Sequence, residues 1–119
     1  MRSVFLALAG TTAICISAPA MAQAIPQGTY VNQDDSAKWV FGARTGSFIQ
    51  YKSINGNPGV ITIEFEYSVS GGMMTYRQTR ISLTDHPMAR TQTLDKTSTE
   101  QIEIRPDAIV IGGAIYRRS

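Results

Sequence analysis

Ten residues in the middle of the chain alternate without a break. Ile61, Ile63, Phe65, Tyr67 and Val69 are apolar, and Thr62, Glu64, Glu66, Ser68 and Ser70 between them are polar. A period of two puts the two sets on opposite faces of an extended backbone, so this segment predicts a half-buried strand. Ser70-Gly71-Gly72 then predicts a tight turn, because glycine accepts positive φ without steric cost. Met73 to Leu83 reads as the returning strand, with a slip in its alternation near Arg77-Gln78 that marks a bulge.

The rest of the chain repeats this pattern on a smaller scale. Gly28–Val31, Lys38–Phe41 and Ser47–Tyr51 read as short strands, with a turn over Gly42–Gly46 and a loop over Asn55–Gly59. Thr84 to Ser98 is poor in apolar residues and reads as a polar loop. Thr99–Arg105, Ala108–Ile111 and Ala114–Arg117 read as the last strands, turning at Pro106-Asp107 and Gly112-Gly113. No segment after residue 22 carries helical apolar spacing over three turns, which leaves room for a short helix near Asp34–Ala37 or Asp85–Arg90. About eight short strands joined by Gly-rich turns predict an all-β fold, a small antiparallel β-barrel. A five-stranded oligonucleotide-type barrel and a sandwich are the rival architectures.

The N-terminus differs in kind. Arg2 precedes a mostly apolar run from Val4 to Ile16, Pro19 follows, and Ala20-Met21-Ala22 offers small residues for signal peptidase. This reads as an export signal over residues 1–22, removed before Gln23, in a chain that is periplasmic or secreted. The run is short for a membrane span, which takes about 20 apolar residues. Cys15, the chain's one cysteine, leaves with this segment. Ala13-Ile14 before it fits a lipoprotein box poorly.

Removing 22 of the 119 residues leaves 97, enough for a single domain over residues 23–119 with a modest core. Without Arg2 the 10 basic and 9 acidic residues nearly cancel, which argues against nucleic acid as a partner. No cysteine remains for a disulfide or a thiolate metal site. The domain must rest on its core and its backbone ladder. Tyr30, Trp39, Phe41, Phe48, Phe65, Tyr67 and Ile111 are the expected core, at about 1.5–3 kcal/mol for each large apolar side chain fully buried.

Three patterns resemble the lipocalin-like (calycin) barrels. Gly28-Thr29-Tyr30 stands where that family has a Gly-x-Trp near its first strand. Trp39-Val40-Phe41, a Gly-bearing turn and Phe48 look like the next hairpin, and Ile102 to Arg117 looks like the closing strands. The resemblance implies that a basic residue of the last strand, Arg117 by position, packs over Tyr30. Tyr30 departs from the family's Trp, and 97 residues is short for a full ligand cup.

Little chemistry is written into the remaining residues. His86, the one histidine, sits in Asp85-His86-Pro87 and reads as loop polarity rather than as a general base. One histidine and no thiol exclude a His/Cys zinc site. The expectation is a protein that is not an enzyme and needs no cofactor or metal. Tyr67, Tyr76, Arg77, Glu64 and Glu66 are the candidate ligand-binding residues. Glu64 and Glu66 would line a polar lumen if the barrel had one, and otherwise pair across strands with Arg77 and Arg80. The expected function is an exported binding module for a small apolar ligand or a protein partner. The alternative is an inhibitor of an exported hydrolase acting through the 84–98 loop.

Overall fold

The structure, a computed structural model, describes residues 22–119; the export segment read in residues 1–22 lies outside them apart from Ala22. The described chain is all-β. Its strands are β1 (Ala22–Gln23), β2 (Gly28–Val31), β3 (Ala37–Phe41), β4 (Thr45–Ile54), β5 (Asn57–Ser70), β6 (Met73–Thr84), β7 (Arg90–Arg105), β8 (Ala108–Ile111) and β9 (Ala114–Arg118). From β2 to β9 each strand pairs antiparallel with the next, and β9 returns to pair with β2. Eight strands therefore close one ring, and β1 lies along the end of β5, pairing with Ser70 and Val69.

The strands of the ring are unequal. β2, β3, β8 and β9 have 4 or 5 residues, whereas β4 to β7 have 10, 14, 12 and 16. The long strands run past the closed ring as a four-stranded flap. Its two hairpin tips, Asn55-Gly56 and residues 85–89, lie at the same end.

Cross-strand partners share a face, so the register assigns the interior. Tyr30 opposes Trp39, Trp39 opposes Phe48, and Phe48 opposes Ile63. Ile102 opposes Ile111, and Ile104 opposes Ile109. Phe65, Met74, Ile109 and Val69 are the largest fully buried side chains, and Ile25, Tyr30, Trp39, Phe41, Ile102 and Ile111 complete the core. Gly46 makes one of these contacts attainable. A Cβ there would stand 2.5 Å from the Val40 carbonyl oxygen and 2.8 Å from Phe65, so only glycine lets the Phe65 ring lie against β4.

The bulge expected near Arg77-Gln78 is present. The ladder register skips Thr79 against β5, and skips Leu94 and Asp95 against β6. The extra residue on β6 restores the facing: Tyr76 and Gln78 below it, and Ile81 and Leu83 above it, all point inward.

Four expectations need correction. Residues 84–98 are mostly strand, because β7 begins at Arg90; the loop is confined to 85–89. Thr91, Thr93, Thr97 and Thr99 give that strand a wet face, so low apolar content did not mean loop. The loop over Asn55–Gly59 shrinks to Asn55-Gly56, both with positive φ. Neither short helix forms; residues 34–36 make a turn in which Asp34 accepts from the Ser36 backbone and hydroxyl. The cation over Tyr30 is Arg118, not Arg117. In the β9–β2 register Arg118 opposes Tyr30 on the inner face, and Arg117 opposes Val31 on the outer.

Candidate functional site

The core fills only part of the ring. Beside it lies a half-open cup of about 400 Å³, at the small end of the volumes that hold small molecules. Buried Trp39, Phe65 and Ile111 form its base. Phe48, Ile63, Tyr76, Gln78, Glu100, Ala114 and Tyr116 form its walls, and Gly112 its rim.

Five of these side chains are aromatic, and Trp39 organises them. Its ring centre is 4.5 Å from Phe48, 5.6 Å from Phe65, 6.0 Å from Tyr76 and 6.2 Å from Tyr116. The last three contacts are edge-to-face, the arrangement that the ring quadrupoles favour. The Trp39 Nε1–H is buried and has no oxygen or nitrogen acceptor among the described residues.

Two polar side chains break the apolar lining. Gln78, just below the bulge, contributes an amide. Glu100 on β7 leans over the β8–β9 turn, where a Cβ on Gly112 would stand 3.0 Å from its Oε1. Gly112 holds a φ of 58°, which favours glycine at the rim. The Glu100 carboxylate has no ion pair or hydrogen-bond donor among the described residues. Burial first, and the Glu100 charge second, push the Tyr76 phenol above its ordinary value of 10.0, against a hydrogen bond with Ser98.

The five residues expected to bind ligand separate. Tyr76 lines the cup. Tyr67 packs beside it in the core, with its hydroxyl donating to the Gly42 carbonyl at 2.7 Å and its phenol raised by burial. Glu64, Glu66 and Arg77 are on the outer wall, paired across strands rather than lining a lumen. There Arg80 grips Glu64 through Nε at 3.1 Å and Nη2 at 2.9 Å, while Arg77 reaches Glu66 at 3.0 Å and Asp95 at 3.3 Å. These exposed pairs are the cross-strand partners that the alternation implied, and solvent screens them.

His86 is buried, 9% exposed, and structural. Its Nε2–H donates to the Ile54 carbonyl at 2.8 Å, and its Nδ1 accepts from the Met88 N–H at 3.0 Å. It ties the two hairpin tips of the flap together. Between those tips and the cup, Ile54, Ile61, Ile81 and Leu83 line a second apolar hollow of about 130 Å³. Among the described residues no group of three or more His, Cys, Asp or Glu is placed to hold a metal ion.

Sequence reasoning missed Phe48, Gln78, Glu100 and Tyr116 as neighbours in one site. Their strands meet only through the long-range register. The one local signal was parity: Tyr76, Ser98 and Glu100 share a face once the bulge is counted. Comparison with known proteins finds no match; no family model, curated protein or solved structure is significantly similar to this chain.

Proposed function

We propose that this protein is an exported, non-enzymatic binding module, periplasmic or secreted, that holds a small and largely apolar ligand in the aromatic cup. One observation carries the reading. The core cluster fills part of the ring, and the space beside Trp39 is open and lined largely by aromatic side chains. A small domain without a disulfide gains most by filling its interior, since each unfilled site costs packing contacts. An open, aromatic hollow in such a domain is a binding site by default. Among the cup's side chains there is no nucleophile with a base beside it, and the single histidine is engaged in the flap.

A lipocalin-like relationship is part of the proposal. It is supported by the up-and-down ring of eight strands and by Arg118 packed over Tyr30. The inhibitor alternative would have to act through the shorter tip at 85–89, where Met88 is exposed.

Native mass spectrometry of protein recovered from its own exported fraction tests the reading. A non-covalent adduct of a few hundred daltons, released on denaturation, is the expected result. A single unliganded mass, unchanged after incubation with a panel of small aromatic compounds, contradicts it.

A further inference from the structure

The cup's lining says more about its ligand than that it is apolar. We infer that the cup selects an organic cation, an ammonium group borne on a small apolar or aromatic body, with the aromatic faces caging the charge and Glu100 answering it. This rests on the cup being a binding site and adds the charge of its occupant.

Three features of the lining converge. Trp39, Phe48, Phe65, Tyr76 and Tyr116 present five rings to one space. Ring faces carry negative potential and attract cations, most strongly where water is excluded; aromatic cages for quaternary ammonium groups work this way. Next, Glu100 is the one charged residue of the lining, and its carboxylate has no partner among the described residues. Glu64, Glu66, Asp95 and Glu103, by contrast, each pair with an arginine on the outer wall. A carboxylate left single, half-buried at a cup's rim, is placed for a cation that arrives from outside. Finally, no lysine or arginine lines the cup. Lys96, which opposes Gln78 in the β6–β7 ladder, is exposed and outside the lining, so it does not offset Glu100 from within.

The same lining disfavours the opposite charge. An anion would meet the negative ring faces and the Glu100 carboxylate together, with neutral donors (the Gln78 amide, the Tyr76 and Tyr116 hydroxyls and the Trp39 Nε1–H) but no cation to answer it. A neutral body fits the walls but leaves Glu100 unanswered as water is displaced.

Three probes of one shape separate these cases: benzyltrimethylammonium, its neutral carbon isostere neopentylbenzene, and benzylsulfonate. Calorimetric titration of the full domain with each gives the ranking. The expected result is the ammonium tightest by about ten-fold over the neutral isostere, with the sulfonate weakest. Glu100→Gln should reduce the ammonium's advantage several-fold, leaving what the aromatic side chains supply, and leave the neutral compound unchanged. Glu100 has no partner to lose, so this variant should keep the wild-type unfolding temperature. Equal binding of ammonium and isostere, or a preference undiminished in Glu100→Gln, overturns the cation inference and leaves the cup a binding site. Binding of none of the three by folded protein overturns both.

Discussion

The Arg118 guanidinium lies 5.5 Å from the centre of the Tyr30 ring. It donates to the Tyr30 hydroxyl at 2.9 Å and to the Gln27 carbonyl at 2.6 Å, while that hydroxyl donates to the Pro26 carbonyl at 2.7 Å. One side chain thus ties the last strand to the first strand of the ring and to the segment before it. Arg117, its neighbour, faces outward. The two arginines make a controlled comparison. Arg118→Ala should lower stability by about 1–3 kcal/mol, the loss of charge-assisted hydrogen bonds and ring contact. Arg117→Ala should stay within about 0.5 kcal/mol of wild type. Urea unfolding of both variants checks this, and equal effects would mean that the closing register is wrong. The resemblance to the lipocalin-like barrels implied a basic residue over Tyr30 but pointed to the wrong one of two adjacent arginines. Only the pairing of strands at opposite ends of the chain decides which of them faces in.

At the scale of elements, legibility followed how much of a strand is buried on one face. β5 could be read residue by residue, because its inner face is continuously apolar from Ile61 to Val69. The bulge on β6 was visible as a break in parity. β7 was not legible over residues 90–98, since its flap portion is largely exposed and its Thr- and Gln-rich face carries no apolar alternation. The candidate site suffered for the same reason: Glu100 falls just past the stretch mistaken for a loop. His86 was also undervalued, because its burial depends on a hairpin tip more than thirty residues away. His86→Ala should cost about 1–2 kcal/mol through two lost buried hydrogen bonds. The damage should be local. Hydrogen exchange at the Met88 amide should quicken far more than at Ile109 in the opposite part of the ring. Uniform acceleration across both would contradict a local clasp.

The whole molecule is a ring that closes late in sequence and fills unevenly. Tyr30 and Arg118 meet across a separation of 88 residues, so the last seam forms only when every strand between is in register. The filled end gives the domain its stability without disulfides, and the open end gives it the cup. That division is the central claim, and the chain carries its own reporter for it: Trp39, the single tryptophan, at the base of the cup. Titration of Trp39 fluorescence with a small aromatic ligand such as benzyltrimethylammonium should give a saturable change. The same titration of Ala114→Phe, which puts a ring into the cup from its wall, should give none while the unfolding temperature stays near wild type. An identical saturable response in Ala114→Phe, or no response in the wild type, would contradict an open cup that binds.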